Sequence, residues 1–401
     1  MGEIDPADIA GRQNQRASIR VLQVHHFRYP ETKGGVDRVV SDMVDALGIE
    51  QCTLFEVAGW DERKLMCRDA GGLRIYRGHL RRPGSGRGFL GRGYAWLEMV
   101  VRLGQLARII RQNSIDLVHL HTLQDYQWYF AVLARFGMCR YVVTLHGSET
   151  LEYPKRCKSQ QAKWEKVLRQ AARITAVSET LAQVALQNLP IGSKPAVVYN
   201  GITDPGGTLA DRQEHEKQSY AVCVCALEPY KGIDIAIDAW EHLSTAGIGL
   251  HLLVAGGGSL ENDLIQKVRN QESAKYIHLL GALPYHRVLQ IVSDAEIFIM
   301  PSRNEGFGLA LVEAAALGRP IVASDIPVFR EIITNGENGV LFRPEDPYAL
   351  ADQVSRLVND PEYAECLGAA ARKRYLTAFS KERMLAGYDE VYRRVLHKDR
   401  R

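Results

Sequence analysis

The 401-residue sequence has no run of about 18 apolar residues, so no segment is expected to span a membrane. Residues 1–17, MGEIDPADIAGRQNQRA, lack the apolar core of a secretory leader and are expected to form a polar tail. Charge of one sign is also missing: 50 Lys and Arg against 47 Asp and Glu leave +3, too weak a field to argue for nucleic acid. The 12 histidines show no metal-ligand spacing and no Asp-x-Asp motif occurs, so no metal site is expected. The seven cysteines are scattered. Cys223 and Cys225 fall on one face of an apolar strand pattern, where small buried thiols are the expectation, and the whole suits a reducing cytoplasm.

The chain is 46% hydrophobic and 24% charged, ordinary for a globular protein and long enough for two cores. Short β-branched runs alternate with helical patterns: IRVLQV (19–24), DLVHLH (116–121), YVVTLH (141–146), RITAVS (173–178) and AVVYN (196–200). A polar stretch, 203–219, interrupts the series, which resumes with YAVCVCAL, LHLLVAGG, YIHLLG, EIFIMPS and PIVAS. This alternation predicts an α/β protein of two doubly wound parallel sheets. The expected divisions are a tail (1–17), a first Rossmann-like domain (18–205), a second (206–378), and an amphipathic helix within 379–401 that crosses back to the first domain.

Within PSRNEGFGLALVEAAALGRPIVAS (301–324), Ala- and Leu-rich residues ahead of Gly318 and Pro320 predict a short helix over 308–317. Glu313 lies inside it and Glu305 on the loop before it, eight residues apart, so both can face one side. Burying a carboxylate without a partner is costly, so both acids should meet donors, from the protein or from a hydroxylated ligand. In open parallel sheets ligands bind beyond the carboxyl ends of the strands. The loops there, EPYKG (228–232), GGGSL (256–260) and RNEGFG (303–308), offer the cation Lys231, glycines and a helix N-terminus near Gly308, a pattern for a phosphorylated, polyhydroxylated ligand. GGGSL also reads as a tight turn with Ser259 as helix cap. Asn200-Gly201 is both a hairpin signal and a candidate hinge. In the first half, Gly34 and Gly35 precede a helical pattern where backbone N–H groups can meet phosphate, so two half-sites facing one cleft are expected.

Together, GGVDRVV, TLHGSE, ITAVSE, YNGI, ALEPYKGID, VAGGGSL and the 301–324 segment resemble the retaining, nucleotide-sugar-dependent glycosyltransferases of family 4, with the GT-B fold, over residues 19–396. The resemblance implies that Glu305 holds donor-sugar hydroxyls, with backbone N–H groups of Gly306, Phe307, Gly308 and Leu309 beside it, and that Glu313 holds the ribose. It gives Lys231 the diphosphate, Gly35, next to the donor-site candidate Gly34, a backbone contact to phosphate, and His146 a place next to the sugar; His146, Lys231 and Glu305 form the implied catalytic set. Two departures stand out. Ala226 occupies the place of a diphosphate-binding arginine, for which Arg303 or Arg38 is a candidate replacement, and Tyr199 stands where proline usually precedes Asn-Gly.

The implied reaction is metal-independent transfer from a UDP- or GDP-sugar to a hydroxyl of a glycan, glycolipid or small molecule, with front-face retention. The nucleotide sugar is a substrate, and no cofactor is expected. Alternatives are a catalytically weak GT-B subunit, which Ala226 suggests, and a sugar-nucleotide epimerase. Residues 77–111 carry eight arginines against one acid, Glu98, alongside Phe89, Leu90, Tyr94 and Trp96. The resemblance gives the acceptor to the first domain and the nucleotide sugar to the second, and such a stretch in the first domain suits an anionic lipid carrier, a phosphorylated glycan or the cytoplasmic face of a membrane, or forms a solvated arginine-rich surface.

Overall fold

The computed structural model describes residues 19–26, 28–29, 34–58, 62, 64–80, 88–208 and 219–397. The expected tail (1–17), residues 81–87 of the arginine-rich stretch, the side chains of Phe89, Leu90 and Tyr94, and residues 209–218 of the linker lie outside the described residues. The rest forms two compact units: the described parts of Met1–Thr144, Lys155–Ile174 and Asp389–Arg401, and those of Leu145–Pro154 and Thr175–Tyr388.

In the first unit, β1 (Val21–His25), β2 (Cys52–Val57), β3 (Met66–Ala70), β4 (Leu73–Gly78), β5 (Leu117–His121) and β6 (Tyr141–Leu145) lie in the order β3-β4-β2-β1-β5-β6. Strands β1, β5 and β6 are buried at every position, as runs of Val and Leu covered on both faces require. All pairings named for this sheet are parallel except that of β3 with β4, an antiparallel edge that corrects the expectation of a purely parallel sheet. Strands β2 to β4 were not among the expected runs. The buried Glu56 on β2 is compensated by Arg68 at 2.8 Å, Arg77 at 3.3 Å and the Tyr29 N–H at 2.9 Å.

Strand β7 (Arg173–Ala176), at which the chain passes from the first unit to the second, pairs in parallel with β8 (Ala196–Val197). The second unit holds a six-stranded parallel sheet of β9 (Tyr220–Val224), β10 (His251–Ala255), β11 (Ile277–Gly281), β12 (Ile297–Met300), β13 (Ile321–Ser324) and β14 (Val340–Phe342). Its order, β11-β10-β9-β12-β13-β14, reverses direction at β9, so the loops after β9 and β12 flank the switch point where open α/β sheets bind ligands. Two Asp-Pro pairs start its late helices. Asp346 caps Pro347–Asn359 by accepting from the Ala349 N–H, and Asp360 caps Pro361–Ala378 through the Tyr363 N–H.

Asn200-Gly201 forms no hairpin. Ile202 bridges Ser380 in parallel, and a Cβ on Gly201 would lie 2.2 Å from the Ser380 carbonyl oxygen, so glycine serves close approach.

The core of the second unit centres on the helix Ile233–Thr245, whose Ile237, Ala239, Trp240 and Leu243 are buried. Trp240 is fully packed and its indole N–H donates to the Leu250 carbonyl at 2.9 Å. Trp240→Ala is therefore expected to cost about 3–5 kcal/mol in denaturant unfolding of this unit; a loss below about 1 kcal/mol would contradict this packing.

Candidate active site

Lys231 lies on the 3-10 turn Pro229–Lys231 after β9, and Glu305 on the loop after β12. Their side chains meet at 2.5 Å across the switch point, 14% and 9% exposed. The Ser302 hydroxyl donates to the same carboxylate oxygen at 3.2 Å. Burial works against the Lys231 ammonium, but the Glu305 charge and hydrogen bond outweigh it, with help from Cys225 and Tyr230, and the lysine pKa is raised. The pair is thus a pre-formed cation and anion, and the other two ammonium N–H groups remain to be matched by acceptors.

The predicted helix runs Leu309–Ala316 with Gly308 as its N-cap, left-handed at φ 99°, and no side chain caps it. A Cβ on Gly308 would meet the Phe329 ring at 2.9 Å. Glu313 is buried on this helix and accepts from the Tyr285 hydroxyl at 3.2 Å. The two acids therefore meet different protein donors, Glu305 a cation and Glu313 a phenol.

His146, on the segment after β6, comes to the same loop: a Cβ on Gly306 would lie 2.2 Å from the His146 carbonyl oxygen. The Glu149 carboxylate accepts from the His146 N–H at 3.2 Å and the Gly147 N–H at 2.8 Å, holding this turn. Burial pushes the His146 imidazole down to about 3, so it is neutral at physiological pH. The Phe307 ring turns inward to Tyr199 and Phe379, centroids 6.1 and 5.9 Å away, which leaves its backbone as the part available to a ligand. Leu309 opens the helix. Gly34 and Gly35 belong to the first unit, at the start of the helix Gly35–Gln51, where Gly34 is the N-cap without a side-chain cap.

Two sequence readings change. Ser259 does not cap the helix Glu261–Arg269; Leu260 is the N-cap, and the Ser259 hydroxyl donates to Glu228 at 2.7 Å. Arg303 offers no donor for a missing arginine, because its five N–H groups are all taken. They bond both oxygens of Asp234 (2.8 and 2.7 Å), both of Glu345 (2.6 and 2.9 Å) and the Pro229 carbonyl (2.7 Å). Arg38 lies in the first unit on Gly35–Gln51. Tyr285 and Glu149 were missed. Glu149 could have been found as an acid in the first turn after a strand-ending His-Gly; the Tyr285 contact spans 28 residues and leaves no local mark.

Among the described residues, His25, His26 and Asp37 in the first unit bring potential metal-ligand atoms within 4.8 Å. The two rings stack at 4.3 Å and 25°, so their in-plane lone pairs do not converge on one ion.

Residues 33–204 match the family model described as Glycosyltransferase Family 4, and residues 208–374 match Glycosyl transferases group 1. An uncharacterised glycosyltransferase of Methanocaldococcus jannaschii is 27% identical over 304 residues, 75% of this chain and 81% of its own. Among solved structures, sucrose-phosphate synthase of Thermosynechococcus elongatus aligns at a TM-score of 0.73 with 18% identity, covering 94% of this chain and 99% of the other. HepE of Anabaena in complex with UDP-glucose aligns at 0.71 with 15% identity, covering 94% and 100%. The two family models account for nearly the whole of both sheets, and the chain belongs to the family 4 glycosyltransferases, with the GT-B fold.

Proposed function

We propose that this glycosyltransferase moves a hexose-type sugar from a UDP- or GDP-sugar to a hydroxyl of a glycan, glycolipid or small molecule, with retention and without a metal ion. The observation that carries the reading is the Lys231–Glu305 pair at the switch point. It sets a cation for phosphate beside an acceptor for sugar hydroxyls, and HepE, of the same fold, is solved with UDP-glucose. The reading extends to a cytoplasmic enzyme with a peripheral membrane contact through residues 77–111.

In this reading Lys231 and the backbone N–H groups of Gly306 to Leu309, at an uncapped helix start, meet the charge that grows on the departing diphosphate. Glu305, paired with Lys231, accepts from sugar hydroxyls, and Glu313 accepts from the ribose. Neutral His146 hydrogen-bonds the donor sugar as an uncharged ring. Gly35, next to Gly34, keeps the phosphate-contact role that the resemblance implies. For the front-face step, the bond from the anomeric carbon to the leaving phosphate oxygen breaks as the acceptor oxygen bonds to the same face. The departing phosphate oxygen takes the acceptor's proton.

The direct test is turnover of UDP- and GDP-sugars in excess EDTA, expected to persist because fixed cations and dipoles stand in for a divalent ion. A strict need for added Mg²⁺ or Mn²⁺ would overturn the charge balance proposed. The working nucleotide should raise thermal stability by about 2.7 kcal/mol at 100 times its dissociation constant.

The two acids should separate by ligand. Glu313→Ala is expected to weaken UDP or GDP itself by about 1.5–3 kcal/mol in calorimetry, the range for a charge-assisted hydrogen bond. Glu305→Ala should lower turnover far more than nucleoside diphosphate affinity. Equal losses for both ligands in both variants would refute the division.

The cations should separate as well. Lys231→Ala is expected to lower transfer by at least about 10²–10³-fold. Arg303→Ala, which removes donors already spent on Asp234 and Glu345, should lower melting temperature while leaving diphosphate affinity near wild type. The reverse pattern would move the phosphate site to Arg303.

A further inference from the structure

The helix Gly88–Gln112 has two apolar faces, and only one of them packs into the first unit. Met99, Leu106, Ile109 and Ile110 are buried, whereas Trp96, Leu97, Val100 and Val101 are 58%, 64%, 60% and 49% exposed. At roughly 100° per residue, Trp96, Val100, Gly104, Leu97 and Val101 fall within one arc of about 140°, opposite the buried side. Arg108 and Arg111, both exposed, fall inside the same arc. The one acid of residues 77–111, Glu98, lies off this arc and is 16% exposed, held by the His79 ring at 2.8 Å. Arg102 is buried and bonds Gln105. The outer face thus shows large apolar side chains and arginines, with no carboxylate from 77–111 among them.

A contiguous exposed apolar stripe of this kind marks an interaction surface. Its chemistry selects the partner: a wide apolar arc with an aromatic residue, followed along the helix by the exposed cations Arg108 and Arg111, matches an in-plane helix on an anionic bilayer. No helix among the described residues is long and apolar enough to cross a membrane, so the contact is one of lying on the surface. We infer that the outer face of Gly88–Gln112 is the membrane-docking element of this enzyme, with Trp96, Leu97, Val100 and Val101 entering the acyl boundary and Arg108 and Arg111 pairing with anionic headgroups. The inference rests on the membrane part of the functional reading and on none of the donor-site assignments. It places the docking surface on the unit that the resemblance gives to the acceptor, so a lipid-linked acceptor would be met where it resides.

The test is co-sedimentation of the full-length protein with phosphatidylcholine vesicles, with and without phosphatidylglycerol. Wild type should bind the anionic vesicles and lose binding as salt rises from about 0.1 M to about 1 M, where the Debye length shrinks from about 10 to about 3 Å. Leu97→Gln with Val100→Gln, neutral changes at exposed positions of good helix propensity, should reduce the partition coefficient at least tenfold. UDP- or GDP-induced thermal stabilisation should remain at its wild-type value, which confirms the fold. Arg108→Gln with Arg111→Gln should weaken binding to anionic vesicles and leave binding to neutral ones unchanged. If wild type binds no vesicle, the membrane reading and this inference fall together, with donor binding standing apart. If wild type binds and the Leu97/Val100 variant binds equally, only the helix assignment falls. A dimer in light scattering that the Leu97/Val100 variant converts to monomer would instead assign the face to a second copy of the chain and overturn the inference.

Discussion

The Lys231–Glu305 ion pair is the constraint around which the second unit is arranged. Either group alone at that depth would carry a desolvation penalty of several kcal/mol; together they offset it, and Ser302 adds a donor to the shared carboxylate oxygen. The pair ties the loop after β9 to the loop after β12, the two strands on either side of the sheet's switch point. Because the lysine pKa is raised, the cation persists throughout the physiological range, and the charges are oriented before any ligand arrives.

The loop that carries Glu305 is then fixed by groups distant in sequence. Gly306 lies so close to the His146 carbonyl that any side chain would collide, and its own carbonyl accepts from the Ser178 hydroxyl at 3.0 Å. Phe307 anchors the loop from below in a cluster with Tyr199 and Phe379, whose rings are 5.5 Å apart. Tyr199 thereby explains its departure from the usual proline: burial, with Glu331 nearby, pushes its hydroxyl up to about 12, and the ring supports the loop that carries Glu305. Glu331 in turn accepts from the Glu179 and Thr180 N–H groups at 2.7 Å, filling the N-terminus of the helix Glu179–Asn188 with a protein carboxylate. That helix end is closed to phosphate, whereas the end at Gly308 has no side-chain cap.

What was legible in the sequence was what depends on local pattern. Strands β1, β5, β6 and β9 to β13 announce themselves as apolar runs bounded by Gly or polar residues, and the helix at 309–316 by its Ala-Leu content ahead of Gly318. Strands β2 and β4, CTLFEV and LRIYRG, carry charged or polar residues inside the run, because Glu56 and Arg77 compensate each other across the pair. A carboxylate at a fully buried position looks like a reason against a strand until its arginines are seen. The Glu305 and Glu313 signal was legible as a demand for donors; which donors answer was not. Lys231 is 74 residues from Glu305, and the phenol that reaches Glu313 starts the helix Tyr285–Asp294, which precedes β12 in the chain. Ser259 misled because a serine before Glu261 fits a capping pattern, yet both its hydroxyl and its N–H donate to Glu228, and Leu260 takes the N-cap position.

Arg303 shows why nearness in sequence is a poor guide to a cation's role. It stands two residues before Glu305, but Asp234, in the first turn of the helix after Lys231, and Glu345 bind it with two oxygens each, and the Pro229 carbonyl takes its last donor. Freeing it for a phosphate would give up all five of these bonds, including both two-oxygen contacts. Arg303 is therefore better placed to brace the loop from which Glu305 projects than to bind ligand. With Ala226 also lacking charge, the proposed function assigns neutralisation of a bound diphosphate to the two remaining Lys231 N–H groups and to backbone amides at the helix start. Amide dipoles are fixed by the fold and need no reorientation as charge develops, so a site built on them gives up a mobile second cation and depends instead on the position of the 305–309 backbone. That dependence makes the glycine against His146 and the aromatic cluster under Phe307 part of the chemistry as much as of the fold.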